Sequence, residues 1–218
     1  MDGNGRWAQR RWLPRAAGHR AGISVLEPLI EAAGEAGVKT LTLYAFSTEN
    51  WTRPEDEVST LMKLFIETAR AKVPELNKRG ARLRFLGRRD SLPNAVRDAL
   101  LEAEKLTAGN AEIDVYIALN YGGRGEIVDA IRRMISDGLK PEEVDEQTFA
   151  RYLYAPEVPE IDLVIRTSGE LRVSNFLLWQ IAYAEFYVTD TLWPDFSRTE
   201  FLQAMESFAS RSRRRGGV

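Results

Sequence analysis

Short apolar runs and amphipathic stretches alternate along this chain, and that alternation restricts its fold more than any other feature. The runs typical of strands are rich in β-branched or aromatic residues and cover residues 39–46, 81–87, 113–120 and 161–166, with a weaker run at 186–188. Apolar residues at helical spacing predict helices over 18–36, 54–79, 91–107, 125–137 and 197–212. Largely apolar strands separated by helices predict an α/β fold with a central, mostly parallel sheet and helices on both faces.

Size and residue usage indicate one domain, residues 1–218, and exclude several kinds of site. The chain has no cysteine and a single histidine, which excludes disulfides, thiolate metal sites and multi-histidine zinc sites. No segment resembles a signal peptide or a membrane-spanning run, so we expect a cytoplasmic protein.

Basic residues are concentrated near the N-terminus although the chain as a whole is slightly acidic. The sequence has 30 Lys and Arg against 32 Asp and Glu, a net charge of −2. Within the first 26 residues, arginines at 6, 10, 11, 15 and 20 and His19 stand against the single acid Asp2. This pattern favours a small, highly charged anion over nucleic acid, which more often needs a domain-wide basic face. A solvated basic segment is the alternative.

The sequence MDGNGRW at positions 1–7 combines a carboxylate, two glycines and a guanidinium. Glycines let the backbone approach a ligand closely, and arginine offers a planar fork of donors to phosphate oxygens. A carboxylate suits Mg²⁺ that is held together with substrate phosphates. Asp-Gly and Asn-Gly are also ordinary turn dipeptides, so the run taken alone favours a plain turn.

Polar loops containing arginine follow three of the predicted strands. They are 47–53 (STENWTR), 120–124 (NYGGR) and 166–175 (RTSGELRVSN). Because ligands of open α/β sheets bind beyond the carboxyl ends of the strands, we expect these loops and the opening run to form one polyanion pocket.

The predicted helix 54–79 carries a broad apolar face. Its members are Val58, Leu61, Met62, Leu64, Phe65, Ala69, Val73 and Leu76. Core packing is the interpretation favoured for such a face. The alternative is that part of it lines an elongated apolar cavity.

Six segments together resemble the cis-prenyltransferase family. They are MDGNGRWA (1–8), LPRAAGHRAG (13–22), LTLYAFSTENWTRP (41–54), NYGGR (120–124), IRTSGELRVSNFLLWQIAYAEFY (165–187) and LWPDF (192–196). The resemblance implies an enzyme that condenses isopentenyl diphosphate with an allylic diphosphate such as farnesyl diphosphate, making Z double bonds and releasing diphosphate. The paired aspartate runs of trans-prenyl synthases are absent from the sequence.

The resemblance also implies a set of site residues. Asp2 corresponds to the Mg²⁺ ligand, and Glu185 matches a second acidic position linked to the metal. The allylic diphosphate is expected at Gly3, Asn4, Gly5, Arg6, Arg15 and His19, with Trp7 beside the substrate. Isopentenyl diphosphate is expected at Arg166, Arg172, Val173 and Ser174, with Arg6 shared between the two diphosphates.

Asn50 corresponds to the family's proton acceptor. Around it stand Ser47, Thr48, Glu49, Trp51, Arg53 and Glu57. An amide is a poor base, so we expect Asn50 to orient a water or a diphosphate oxygen that takes the proton. The alternative is a residue that makes only a local turn at a helix entry.

A long-chain product such as undecaprenyl diphosphate, the carrier lipid of cell-wall synthesis, is what the resemblance implies. Ala45 resembles the longer-chain synthases, and Ile113 falls where the family has a bulky residue that closes the far end. Both could equally be strand-core residues. A short- or medium-chain synthase is one alternative function.

Two rival classes of protein fit the sequence less well. A non-catalytic binding subunit of this family should lack Asp2, Asn50, Arg172 and Ser174, and all of these are present. A nucleotide- or RNA-binding module should show a Walker-type run or stacked aromatics, and neither is visible. We therefore expect no nucleic-acid partner.

Three further expectations concern the ends of the chain and its partners. Family members have a strand that ends at the MDGNGR run, and we expect this strand to be missing before Met1. The run 213–217 (RRRGG) resembles a family tail that reaches a neighbouring active site across a homodimer, with a disordered end as the alternative. We expect a homodimer and a peripheral contact with the inner membrane face during product release.

Overall fold

The computed structural model describes residues 1–211, so the basic run at 213–217 lies outside the described residues. The helices are α1 (Asn4–Gln9), α2 (Arg15–Ser24), α3 (Leu26–Glu35), α4 (Glu55–Lys78), α5 (Asn94–Thr107), α6 (Gly123–Ser136), α7 (Glu146–Arg151) and α8 (Arg198–Ala209). The strands are β1 (Thr40–Ser47), β2 (Ala81–Leu86), β3 (Ile113–Tyr121), β4 (Leu163–Arg166) and β5 (Glu185–Val188). Short 3-10 helices lie at Thr48–Thr52, Pro141–Glu143 and Trp193–Asp195.

Every predicted strand and helix has a counterpart, with shifted bounds. The helix predicted over 18–36 is divided into α2 and α3. Pro28 explains the division, because it has no N–H to donate to the carbonyl of Ser24 and its ring crowds that carbonyl. The six-residue helices α1 and α7 are too short to show a helical period in the sequence.

The strands confirm the parallel α/β class, but they form two sheets where one was expected. In the larger sheet β3 lies between β1 and β2, and β4 pairs with β5 in the smaller one. Within residues 1–211, β1 and β4 each keep one edge without a partner strand. A large cavity is lined by residues of both these strands. The sheets are separate because no described strand bridges the two edges.

The main hydrophobic core holds the larger sheet, and with it the strand ends from which the polar loops extend. It lies between the larger sheet and helices α3, α4, α5 and α8. The central strand β3 is enclosed on both faces, with Val115 and Ala118 fully buried, as expected where helices cover a parallel sheet. A second cluster, which includes Tyr116, Tyr121 and Leu177, packs beneath the loop that follows β4.

Helix α4 bears out both interpretations of its apolar face. Val58 is buried in the core and does not line the cavity. Leu61, Phe65 and Ala69 are partly buried, pack against the core and form part of the cavity wall. In the part of the chain that the structure describes, no helix has the length and apolar character needed to span a membrane.

Candidate active site

The loops that follow β1, β3 and β4 meet at one end of the molecule. β1 and β3 are parallel neighbours, so their carboxyl ends lie at the same sheet edge. Asn175, from the loop after β4, donates through Nδ2 to Glu49 Oε1 (2.8 Å) and accepts through Oδ1 from the backbone N–H of Arg124 (2.8 Å). The N-terminal run joins the group where Arg166 Nη2 lies 3.1 Å from Asp2 Oδ2.

Asp2 is held in place by its own backbone. Its N–H donates to Thr167 Oγ1 (3.0 Å), and the Thr167 hydroxyl donates to the Asp2 carbonyl (2.8 Å). The N–H of Trp193 donates to the same carbonyl (2.9 Å). These bonds fix the direction in which the carboxylate points.

The Asp2 carboxyl is favoured in its ionised form. Partial burial opposes ionisation, but the N–H of Gly3, which donates to Oδ1 (2.7 Å), and the charge of Arg166 outweigh this effect. Arg6 adds to it with Nη2 at 3.6 Å from Oδ1. Together these groups hold the pKa of Asp2 below its usual range.

Arg6 lies beside the loop that follows β4. Its guanidinium donates to the carbonyl (3.2 Å) and hydroxyl (2.6 Å) of Ser168. Its Nη1 is 3.0 Å from Glu170 Oε1, and the other oxygen of Glu170 accepts from Arg172. Glu170 therefore bridges two of the arginines that were predicted to bind diphosphate.

Arg166 connects Asp2 with the predicted isopentenyl diphosphate loop. Its Nη1 donates to the carbonyl of Arg172 (2.6 Å) and to Ser174 Oγ (3.0 Å). Its Nε is buried and has no hydrogen-bond partner among the described residues. The structure thus brings Asp2, Arg6, Arg166, Arg172 and Ser174 together, and Val173 lines the same cavity.

A second basic group surrounds Glu57 on α4. Arg53 Nη1, Arg15 Nε and His19 Nε2 lie 3.1, 3.5 and 3.9 Å from Glu57 Oε1. A Cβ atom added to Gly5 would be 3.4 Å from Arg15 Nη2, so the N-terminal run passes beside this guanidinium. Arg15, Arg53 and His19 therefore belong to the same site as Gly3–Arg6.

His19 is neutral in this environment at pH 7. Burial lowers its pKa most, and the neighbouring charges of Arg53 and Arg15 lower it further against the opposing effect of Glu57. Its Nε2 is buried and has no hydrogen-bond partner among residues 1–211. His19 also lines the cavity.

Asn50 lies in the 3-10 helix Thr48–Thr52 and makes the local turn that was considered as an alternative. Its Oδ1 accepts from the N–H of Ser47 (3.1 Å) as half of a capping box. Asn50 also lines the cavity, so its functional role stays a prediction. Trp51 points the other way, with Nε1 donating to Asn120 Oδ1 (2.7 Å), and Thr48 donates to Glu49 (3.1 Å).

Three further predicted site residues are placed differently from the rest. Trp7 donates to Asp195 (2.6 Å), carries Arg11 over its ring at 4.1 Å and is not part of the cavity wall. Asn4 lines the cavity, but its Oδ1 is buried against Gly22. Glu185 begins β5 opposite Leu163 and pairs with Arg211 (2.9 Å), whereas Asp2 contacts the other end of β4. The structure does not bring Glu185 to Asp2 within one chain.

Sequence reasoning missed four residues that shape the site. Thr167, Ser168, Glu170 and Asn175 anchor Asp2, Arg6, the arginine pair and the loop after β1, respectively. Ser168, Ser174 and Asn175 adopt positive φ angles of 72°, 47° and 61°, a conformation that costs free energy for residues other than glycine. The polar run after β4 was the available signal, but it did not show which atoms would pair.

The cavity has a volume of about 1380 Å³ and joins the polar loops to an apolar interior. Helices α2, α3 and α4 and strand β1 contribute apolar walls. Ala45 lines this space, whereas Ile113 is buried in the main core and does not. An elongated apolar chain with a charged head fits this arrangement.

The donor set at Asp2 fits a Mg²⁺ ion that arrives with its substrate. Among the described residues, no group of three or more acidic or histidine side chains could form a metal cage. Mg²⁺ usually keeps several waters and binds one or two carboxylates together with substrate phosphates. One ionised carboxylate beside two arginines suits this mode of binding.

Comparison with known proteins identifies the family of this chain. A family model described as putative undecaprenyl diphosphate synthase matches residues 1–216. An isoprenyl transferase of Fusobacterium nucleatum is 51% identical over 218 residues, covering 100% of this chain and 94% of the relative. This chain belongs to the undecaprenyl diphosphate synthase family. Membership confirms the resemblance to cis-prenyltransferases and supports cis-prenyl chain elongation as the activity.

Two further similar proteins are described with different allylic diphosphates. A trans,polycis-polyprenyl diphosphate synthase of Thermobifida fusca, described as specific for (2Z,6E)-farnesyl diphosphate, is 52% identical, covering 100% of this chain and 79% of that protein. The crystal structure of lavandulyl diphosphate synthase from Lavandula x intermedia, in complex with dimethylallyl diphosphate, is 35% identical with a TM-score of 0.96, covering 100% of this chain and 95% of that one.

Proposed function

We propose that this protein condenses isopentenyl diphosphate repeatedly with an allylic diphosphate, farnesyl diphosphate being the expected primer. The observation that carries the proposal is the position of two basic groups at the polar end of one apolar cavity. Two diphosphates close together repel each other, and guanidinium groups on both sides offset that repulsion while orienting the reacting carbons. An apolar cavity removes the growing chain from water at about 0.8 kcal/mol per methylene group.

The allylic diphosphate binds, in this proposal, to the group formed by Gly3–Arg6, Arg15, His19 and Arg53. The supporting observations are the orphaned Nε2 of His19 and the passage of Gly5 beside Arg15. Asp2 would hold Mg²⁺, which when bound would help to neutralise the charge that develops on the departing diphosphate. Asp2 is ionised and held by its backbone, so it is prepared for this role before substrate binds.

Isopentenyl diphosphate binds to Arg166, Arg172 and Ser174. Glu170 pairs with both Arg6 and Arg172, and a diphosphate would compete with it for both arginines. As the carbon–carbon bond forms, the isopentenyl unit loses a proton. Asn50 leaves its local turn or uses its remaining amide N–H to orient the diphosphate oxygen or water that accepts this proton.

A homodimer is the proposed assembly. Helix α6 exposes Val128, Ile131 and Ile135, which are spaced to form one stripe and are 44, 45 and 72% exposed. A stripe of this kind is typical of an interface. Light scattering should give twice the chain mass for the wild type and a single chain mass for Ile135→Glu; a monomeric wild type would contradict the proposal.

A peripheral contact with the inner membrane face is proposed for the release of a long, apolar product. Trp12 and Leu171, near the polar end, are 96 and 87% exposed, and Trp12 follows Arg10 and Arg11. An exposed Trp beside arginines suits an anionic bilayer surface. The protein should sediment with phosphatidylglycerol vesicles more than with phosphatidylcholine vesicles, and equal sedimentation would count against this contact.

The proposed function is tested by incubating the protein with farnesyl diphosphate, isopentenyl diphosphate and Mg²⁺ and analysing the products by mass spectrometry. We expect a ladder of products that differ by one isoprene unit and reach a long chain. Asp2→Ala should lose nearly all turnover with an unchanged melting temperature. Asp98→Ala, at an exposed position on α5 outside the cavity wall, should keep normal turnover. Absence of elongated product would overturn the function, and products that stop after a few units would assign a short-chain synthase.

A further inference from the structure

Asn175 joins three parts of the site and was not among the predicted site residues. Its backbone carbonyl accepts from the N–H of Gly123 (2.7 Å), and its Oδ1 accepts from the N–H of Arg124 (2.8 Å). These are the first two N–H groups of α6, whose own N-cap residue Gly122 offers no side chain to them. Asn175 therefore caps α6 from a loop about 50 residues further along the chain.

The other end of the same amide holds the turn that contains Asn50. Nδ2 of Asn175 donates to Glu49 Oε1 (2.8 Å), and Glu49 is the residue before Asn50. A Cβ atom added to Gly122 would lie 2.7 Å from both Asn175 Nδ2 and Thr48 Oγ1. The three segments are thus packed so closely at this point that only glycine fits beneath the amide.

The loop of Asn175 needs such anchors because its backbone is strained. Ser174 and Asn175 both adopt positive φ angles, 47° and 61°. Non-glycine residues persist in this region only where the surroundings hold them. Ser174 and Arg172, which we assigned to isopentenyl diphosphate, stand on the same short loop, so the anchors of Asn175 also determine where those side chains lie.

We propose that Asn175 is a positioning residue that fixes the isopentenyl diphosphate loop relative to the turn carrying Asn50. This inference rests on the proposed function. A displacement of about 1 Å between reacting groups can lower a rate by about a hundredfold. The Oδ1 atom and one N–H of the Asn175 amide are engaged within the protein, so the residue acts on the reaction through the positions of Ser174, Arg172 and Asn50.

The pairing with Glu49 allows a test in which donor and acceptor are exchanged. In Asn175→Asp the new carboxylate can still accept from Arg124, but it faces the Glu49 carboxylate where an N–H stood. In the double variant Asn175→Asp with Glu49→Gln, the new glutamine amide can donate to the new carboxylate, and the total charge equals that of the wild type. Glu49→Gln alone provides the fourth corner of the cycle.

We expect Asn175→Asp to lower kcat/KM for isopentenyl diphosphate about ten- to a hundredfold when Glu49 is present and less than about threefold when it is combined with Glu49→Gln. KM for the allylic primer should stay within about twofold, because residues 2–6, 15 and 19 are not anchored by this amide. Asn110→Asp is the matched control, since Asn110 also joins segments through Nδ2 (2.9 Å to Asn77 Oδ1) but lies outside the site. Asn110→Asp should lower stability, but it should not affect the kinetics of isopentenyl diphosphate more than those of the allylic primer.

Three results would overturn the inference while leaving the proposed function intact. The first is normal kinetics for Asn175→Asp, and the second is an equal loss of kcat/KM with and without Glu49→Gln. The third is a KM that rises equally for both substrates, together with a lower melting temperature, as expected of a purely structural change such as Asn110→Asp. A wild-type protein that forms no elongated product would instead contradict the proposed function itself.

Discussion

His19 is the single histidine of the sequence, and its surroundings make it a reporter for charge in the candidate allylic site. Burial and the arginines Arg53 and Arg15 hold its pKa below the usual value, so the free protein keeps the ring neutral at pH 7. A bound diphosphate places negative charge beside the ring and favours the protonated form. Ligand binding and protonation of this residue are therefore linked.

We predict that diphosphate raises the pKa of His19. The imidazole proton signal, which needs no assignment in a chain with one histidine, should titrate below pH 6.5 in the free protein and at a higher pH with inorganic diphosphate and Mg²⁺ bound. Arg15→Gln should reduce the effect of the ligand. A midpoint that diphosphate leaves unchanged or lowers would remove His19 from the allylic site.

The motif residues could be predicted because their residue types alone indicate which ligands they can bind. Asp2 belongs to the opening run, Arg166 ends β4, Ser174 lies in the loop after it, and the three side chains meet as expected. Thr167, Glu170 and Asn175 could not be assigned, because their roles come from partners that folding brings from as far as 165 residues away. Trp7 has a partner, Asp195, that no local pattern indicates.

At the scale of elements, helix α4 contributes both to the stability of the core and to the space available for the product. One side of the helix packs into the core, and the positions that line the cavity determine how much room a growing chain has. Ala69 is a small residue on the cavity wall, whereas Ala71, half a turn further along, is exposed to solvent. These two alanines offer the same substitution in two environments.

We predict that Ala69→Phe shortens the product and Ala71→Phe does not. The added ring occupies cavity volume at position 69, and at position 71 it extends into solvent. Mass spectrometry of products made from farnesyl diphosphate should show a shift of one or more isoprene units for Ala69→Phe alone. Identical product distributions would show that the growing chain does not run along α4.

The helices and strands could be predicted where an apolar pattern continues over many residues and depends only on neighbours in the sequence. β1, β2 and β3 follow their apolar runs closely, and α5 and α6 follow theirs. The break between α2 and α3 depends on a single proline, and the division into two sheets depends on which edges find partners. Strand pairing is a property of distant segments, so an alternation pattern alone does not determine it.

At the scale of the whole molecule, β1 and β4 each keep one edge without a partner strand among the described residues. Edge strands carry backbone N–H and C=O groups without sheet partners. The N-terminus lies between the two sheets, with Asp2 bonded to Thr167 directly after β4 and Met1 packed against the main core. A strand placed before Met1 could therefore pair with both edges and join the sheets.

We predict that a strand-forming extension of about six residues before Met1 raises the melting temperature. An extension of equal length made of Gly and Ser is the control, because it has low strand propensity and little apolar surface to bury. Calorimetry should show a higher transition temperature for the first protein only. Equal transitions would mean that the edges of β1 and β4 do not accept a strand.

The arrangement of the two substrates is the central claim, and a crystal structure with both bound tests it most directly. Crystals would contain Mg²⁺, isopentenyl diphosphate and a thio analogue of farnesyl diphosphate that cannot react. We predict the allylic diphosphate at Gly3–Arg6, Arg15 and His19, its hydrocarbon tail in the cavity beside α4, and the second diphosphate at Arg166, Arg172 and Ser174. A tail outside the cavity, or both diphosphates on one basic group, would contradict the account.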